Sequence, residues 1–299
     1  MSNYTYGSQP FMSTTFTAPL AGTDDVIIAN NAADFTITGN GGNDVVRTGS
    51  GNDTITTTSG NDSMAAGDGN NTVTAGDGTN AVMSGSGNDT ITTGNGDDSI
   101  AAGDGNNTVT AGDGTNTVTS GSGNDTITTG AGADVVNSGN GNDIITTGAG
   151  SDRINAGGGD DTVSAGAGND NVTPGGGTDS LTGGGGHDTF VYGNLADAQL
   201  GADTIADFNT SNPWNESEGD MLDLQGLVDD FSGLRGDSFA QLVASGHLDF
   251  SAGGGGTVLS YDSNGSAAGG SIGVLVTLVG VGFSTEAASV QAFGDNMLV

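Results

Sequence analysis

Between Gly39 and Val191 the chain keeps a single nine-residue frame through seventeen consecutive blocks, with no insertion or deletion. The phrase GSGNDTITT (Gly49–Thr57) gives its flavour. Counted from Gly39, position 4 is Gly, position 6 is Asp or Asn, and position 8 is apolar in every block. The apolar series is Val46, Ile55, Met64, Val73, Val82, Ile91, Ile100, Val109, Val118, Ile127, Val136, Ile145, Ile154, Val163, Val172, Leu181 and Phe190. Position 2 is also Gly, except at Asn40 and Thr58.

Positions 7 to 9 read as a short strand whose middle side chain points inward, because strand side chains alternate. The glycines permit a tight turn over positions 1 to 6. One nonapeptide cannot bury its apolar residue alone. Two per coil set two inward rows face to face, and coils stacked about 4.8 Å apart build two parallel sheets around a thin core. The fold class expected is all-β: a right-handed parallel β-roll, two nonapeptides per coil, with a mostly-β C-terminal cap. Seventeen repeats would make about eight and a half coils, roughly 40 Å of solenoid.

Stacking brings the position 6 side chains of repeats two apart into one column. A bare column of carboxylates would repel itself. Calcium takes six to eight oxygens from carboxylates and main-chain carbonyls, and a glycine turn supplies carbonyls beside each carboxylate. The candidate ligands at position 6 are Asp44, Asp53, Asp62, Asn71, Asn80, Asp89, Asp98, Asn107, Asn116, Asp125, Asp134, Asp143, Asp152, Asp161, Asp170, Asp179 and Asp188. Over Gly39 to Val191 the chain resembles the RTX calcium-binding proteins, whose nonapeptide this is. The resemblance implies several bound calcium ions.

Four blocks depart from the pattern. Where position 6 is Asn71, Asn80, Asn107 or Asn116, and only there, position 3 is Asp: Asp68, Asp77, Asp104 and Asp113. The charge has moved three residues upstream. One reading adds these four aspartates to the ligands, with calcium held by a rearranged set. The other is duplication of a 36-residue block with weakened or empty sites.

The charge balance points the same way. Two histidines aside, the basic side chains are Arg47, Arg153 and Arg235, against 36 acidic residues and a formal charge of -33. Without calcium the repeats should expand by self-repulsion. Nucleic acid and anionic lipid are unsuited as partners to such a charge. No run of 18 apolar residues suggests membrane insertion. There is no cysteine, so calcium rather than disulfides would cross-link the coils. The N-terminus lacks a basic and an apolar region, so a Sec signal peptide is not expected. A calcium ladder of modest affinity nevertheless suits millimolar extracellular calcium.

Outside the repeats, residues 1–20 carry Tyr4, Tyr6, Phe11 and Phe16. They read as an aromatic extension that caps the first coil or adds a strand to a neighbouring molecule. Residues 21–38 read as irregular first coils, giving a solenoid over 21–191. From residue 192 the period stops. Asp203–Phe208 and Gly219–Leu224 read as strands joined by a loop holding Trp214, followed by strands at Thr257–Tyr261 and Ile272–Val279. Helices are expected at Ser238–Ser245 and Ser284–Phe293. The segment 192–299 resembles the C-terminal target domain of type I secreted RTX proteins. The resemblance rests on Asp203, Ile205, Asp207, Phe208, Gly219, Asp220, Leu222, Asp223, Leu224 and the end Met297-Leu298-Val299. It implies an uncleaved signal read by the type I secretion machinery, and a secreted, extracellular or cell-surface protein. The same segment could equally serve as a cap.

Even-numbered repeats present Thr54/Thr56, Thr72/Thr74, Thr90/Thr92, Thr108/Thr110 and Thr126/Thr128 on one face. Threonine is a good strand residue in any case. A regular array could also dock another copy, or ice, since it resembles the flat faces of solenoid antifreeze proteins.

No catalytic centre is expected. There is no H-E-x-x-H and no lysine. The one G-x-S-x-G, Gly269–Gly273, sits in a glycine-rich turn rather than a strand–turn–helix elbow. Tyr261–Gly265 starts like an EF-hand loop but lacks the distal Glu. His187 falls at an outward turn position, and His247 reads as a partly buried structural residue. The expected role is a calcium-dependent structural protein that builds an extracellular assembly with copies of itself; an ice-binding or adhesin-type module is the alternative.

Overall fold

The computed structural model describes residues 2–5, 15–17, 22–29, 31–193, 202–209, 219–224, 248–253, 256–262, 272–279 and 297–298. Every regular element among them is a strand. The expected helices, Trp214, His247 and most of the G-x-S-x-G turn lie outside the described residues. The chain divides into two compact units, Met1–Gly148 and Ala149–Val299.

In the first unit successive strands alternate between two parallel sheets. One sheet pairs Asp25–Ala29, Val45–Thr48, Ser63–Gly67, Ala81–Ser84, Ser99–Gly103, Thr117–Ser120 and Val135–Asn137 in that order. The other pairs Thr36–Thr38, Thr54–Thr56, Thr72–Thr74, Thr90–Thr92, Thr108–Thr110, Thr126–Thr128 and Ile144–Ala149. Partners are eighteen residues apart, so one coil is two nonapeptides. The aromatic N-terminal segment joins its own chain: Ser2–Thr5 pairs with Asp25–Ala29, and Thr15–Thr17 with Thr36–Thr38.

The inward row at position 8 stacks on itself, Ile55 on Val73 on Ile91 in one sheet and Met64 on Val82 on Ile100 in the other. All six are buried. A second inward row lies at position 1, which the sequence reading did not assign to the core. Ala66, Ala75, Ala102 and Ala111 are fully buried there, as are Thr57 and Thr93 almost entirely. The buried hydroxyls are satisfied across coils: Thr48 donates to the Ala66 carbonyl at 2.6 Å, Thr57 to Ala75 at 2.8 Å, and Thr93 to Ala111 at 2.7 Å. The core is therefore only two side chains deep, and each residue in it counts. Ile100→Ala should cost about 2–5 kcal/mol, the usual range for emptying such a site, read as a lower midpoint in denaturant titration at saturating calcium.

In the second unit the same arrangement runs through Arg153–Gly158, Asn171–Gly176, Thr189–Val191, Met221–Asp223 and Met297–Leu298 on one sheet. Thr162–Ala167, Ser180–Gly185, Asp203–Ile205 and Ile272–Val279 form the other. The period in sequence ends near residue 191, but the coils do not. Insertions of 6 and 14 residues beyond the usual 18 separate Ser180 from Thr204 and Thr189 from Met221, and the pairing continues parallel across both. The sheet then closes with an antiparallel meander of Leu248–Gly253, Gly256–Asp262 and Ile272–Val279. Ile205, Leu222, Leu224, Leu259 and Leu278 are fully buried, and the Phe190 and Phe208 rings pack tilted by 44° with centroids 6.2 Å apart.

Candidate metal centre

Each turn places its position 6 side chain on the inner side of the coil. Asp44, Asp53, Asp62, Asn71, Asn80, Asp89, Asp98, Asn107, Asn116, Asp125, Asp134 and Asp143 in the first unit, and Asp152, Asp161, Asp170, Asp179 and Asp188 in the second, are each 3% exposed or less. Buried carboxylates at this density need a reason, because desolvating an unpaired charge is costly.

Half of the reason is a ladder. Within each column the Oδ1 of a position 6 residue accepts the main-chain N–H of its counterpart one coil earlier. One column of the first unit runs Asp25, Asp44, Asp62, Asn80, Asp98, Asn116, Asp134, with links of 2.7–3.1 Å. The other is headed by the Phe35 N–H and runs Asp53, Asn71, Asp89, Asn107, Asp125, Asp143, with links of 2.7–3.0 Å. In the second unit Asp152, Asp170, Asp188 and Asp220 form one column, and Asp161, Asp179 and Asp203 the other. Asp25, Asp203 and Asp220 belong to the columns although they stand outside the strict frame. Only the spacing hid them, since each opens an apolar strand as the in-frame residues do. An outer ladder at position 5 runs the opposite way: Asn52 accepts from the Asn70 N–H, Asn70 from Asn88, and Asn88 from Asn106, at 2.7–2.8 Å. These asparagines therefore link coil to coil.

The second carboxylate oxygen is the open half. In Asp44, Asp62, Asp170, Asp179 and Asp188 the Oδ2 is buried with no hydrogen-bond partner. A Cβ built on Gly39 would lie 2.4 Å from Asp44 Oδ2, and one on Gly183 would lie 2.3 Å from Asp188 Oδ2. These two oxygens thus face the turn of their own repeat. Among the described residues no three acidic or imidazole side chains converge on one point. The donors offered are one carboxylate oxygen together with main-chain carbonyls of a glycine turn. That is an all-oxygen, low-charge set of the kind calcium accepts, and magnesium, with its strict octahedron, takes less readily.

Electrostatics agree. Burial, reinforced by neighbouring column carboxylates, pushes Asp44 and Asp170 up to about 6. Burial likewise raises Asp179, Asp188 and Asp220 to about 6. A carboxyl raised above its unfolded value of about 3.9 favours the folded state while protonated. That contribution is complete below about pH 4 and is lost as the pH climbs through about 6. The decalcified chain should therefore hold more strand structure near pH 4.5 than near pH 7.5. The calcium-loaded chain should show the opposite trend, because protons and calcium compete for one oxygen. Circular dichroism of resin-stripped and calcium-saturated protein at the two pH values checks both.

The remaining sequence candidates are placed elsewhere. Asp68, Asp77, Asp104 and Asp113 lie in exposed turns, where Oδ1 of each accepts a main-chain N–H one coil later: from Ser86, Asn95, Ser122 and Ala131, at 2.8–3.1 Å. Hydrogen bonds from the Ser86 and Ser122 hydroxyls, then from their N–H groups, hold Asp68 and Asp104 below the usual carboxylate range. Asp207 accepts from the N–H groups of Gly183 and Gly184 at 3.0 and 2.7 Å. His187 is half-buried rather than outward, with Nδ1 against the Gly219 main chain. Thr54, Thr72, Thr90, Thr108 and Thr126 are exposed, as are Thr92, Thr110 and Thr128, with Thr56 and Thr74 half-exposed.

A parallel solenoid with buried carboxylate columns, in which rungs such as Asp44, Asp62, Asp170, Asp179 and Asp188 end in an oxygen without a donor, defines a calcium-binding β-roll. The chain belongs to the RTX calcium-binding nonapeptide repeat family, which matches it at residues 22–55, 56–91, 74–109, 83–118, 92–127, 110–145, 137–172 and 175–198. Its repeats bind several calcium ions. Comparison with curated proteins gave no match. Calcium would supply the positive charge these columns lack; the position 6 carboxylates, which already link successive turns, and the carbonyls of the glycine turns are the groups that would hold it.

Proposed function

We propose that the protein is a secreted structural unit whose calcium-folded coils dock side by side in an extracellular assembly such as a surface layer, filament or biofilm matrix. The observation that carries this reading is an uncharged threonine face. Thr15, Thr36, Thr54, Thr72, Thr90, Thr108 and Thr126 stand in register on neighbouring strands, with Thr17, Thr38 and the matching second threonines alongside. The array is seven strands wide, two more than the repeat frame alone indicated. In a chain of net charge -33, a face without a carboxylate is where two copies can approach without repulsion. The outer face of the other sheet, with Ser63, Ala65, Ala81, Ser99 and an exposed Met83, also lacks acidic residues there. RTX repeat proteins are typically secreted, and the segment behind the repeats fits export by the type I route, its apolar residues then doing double duty as core.

The test is assembly. The 299-residue chain brought into a few millimolar calcium should form ordered polymers visible by electron microscopy. The variant Thr72→Lys/Thr90→Lys/Thr108→Lys should keep its melting temperature in calcium and lose assembly. The same flat array also supports ice binding. A chain that stays monomeric at every concentration yet halts ice growth would replace the assembly reading with that one.

A further inference from the structure

The four asparagine rungs differ from the aspartate rungs at the atom where the metal would bind. Asn71 Nδ2 donates to the Gly67 and Gly69 carbonyls, both at 3.0 Å. Asn107 Nδ2 does the same to Gly103 and Gly105 at 3.0 Å. Asn80 reaches Gly76 and Gly78 at 3.1 Å, and Asn116 reaches Gly112 and Gly114 at 3.1 and 3.2 Å. The amide orientation is fixed by the other atom, because each Oδ1 accepts a main-chain N–H. Both amide hydrogens are therefore spent on the two carbonyls of the repeat's own turn.

In an aspartate repeat the isosteric atom is a carboxylate oxygen, which needs a cation between itself and those carbonyls. In an asparagine repeat the amide makes that link itself and presents hydrogens, not lone pairs, to the site. The upstream carboxylates do not reach inward to replace it; they are engaged with the next coil's exposed turn.

A second difference accompanies the first. Along each column of this segment aspartate and asparagine alternate, Asp53–Asn71–Asp89–Asn107–Asp125 and Asp62–Asn80–Asp98–Asn116–Asp134. No carboxylate there stacks directly on another. The intervening aspartates also have a hydroxyl at position 1 of their own repeat: Ser120 donates to Asp125 Oδ2 at 2.5 Å, and Ser84 and Thr93 stand beside Asp89 and Asp98, partly offsetting the burial that raises them. In the second unit position 1 is Ala165, Pro174 and Gly183 before Asp170, Asp179 and Asp188, which can offer no such donor.

We infer that residues 53–134 form a segment whose four asparagine rungs bind no calcium and which keeps its coil pairing without the metal, whereas the all-aspartate coils require calcium to fold. The inference stands whether or not the protein polymerises.

Hydrogen exchange of the full chain in excess EGTA should leave the amides of Thr72–Thr74, Ser99–Gly103 and Thr108–Thr110 protected, while those of Asn171–Gly176 and Ser180–Gly185 exchange at least tenfold faster. Equal loss of protection in both regions would overturn the inference. The variant Asn71→Asp/Asn80→Asp/Asn107→Asp/Asn116→Asp should lose that protection in EGTA and regain it in calcium, with more calcium bound per chain by elemental analysis. A variant that binds no additional calcium and keeps its protection in EGTA would sink it. If the variant does not fold even in calcium, the exchange comparison on the unmodified chain decides alone.

Discussion

Excess EGTA should strip much of the strand signal from the far-ultraviolet circular dichroism spectrum and lower the melting temperature by tens of degrees. A ligand held only by the folded state stabilises it by about 2.7 kcal/mol when present at a hundred times its dissociation constant. Several such sites in the all-aspartate columns together exceed the whole stability of an ordinary domain, about 5–15 kcal/mol. The metal also removes the repulsion seen at Asp170 and Asp188, where neighbouring column carboxylates add to burial in raising the carboxyl groups to about 6. Because each coil touches only its neighbours, loss should spread by coils rather than all at once. Restoring calcium should restore the spectrum. A spectrum and melting curve unchanged by EGTA would remove the basis for the metal columns.

Gly78→Ala is expected to cost the calcium-loaded chain several kcal/mol from one methyl group. Gly78 has φ +134°, in the glycine-only region, and an added Cβ would lie 1.9 Å from the Gly60 carbonyl oxygen one coil below. The turn cannot shift without breaking the hydrogen bond from its own N–H to the Asn95 carbonyl at 2.8 Å and the link from Asn80 to its carbonyl. The backbone strain alone is of order 1–3 kcal/mol, with the clash added to it. Denaturant titration at saturating calcium should show a loss well above that of a surface substitution such as Thr79→Ala, which changes an exposed position in the same turn. Equal midpoints for the two variants would mean the coils are not packed backbone to backbone.

The repeat frame was enough to fix the coil, because a nine-residue period with one inward side chain and obligatory glycines has few ways to bury its apolar row. It also marked the carboxylate columns, since residues eighteen apart must stack. It did not show that position 1 is a second inward row, because Ala66, Thr57 and Ser84 share size rather than polarity and leave no hydrophobic signature. Nor did it show that Asp203 and Asp220 extend the columns. Their insertions break the count in sequence, yet the links from the Asp179 and Asp188 N–H groups are made all the same, at 2.8 and 3.1 Å.

The sequence by itself determined that the chain coils, that each coil spans two repeats, and that acidic side chains line up in need of positive charge. The tertiary structure alone decided what each rung does with its second atom. Residue type makes that atom a donor in Asn71 and an oxygen in Asp188; that the Asn71 amide comes within 3.0 Å of two glycine carbonyls of its own turn, while the Asp188 oxygen is left orphaned, depends on how the turn closes. One-dimensional spacing carries no record of that closure.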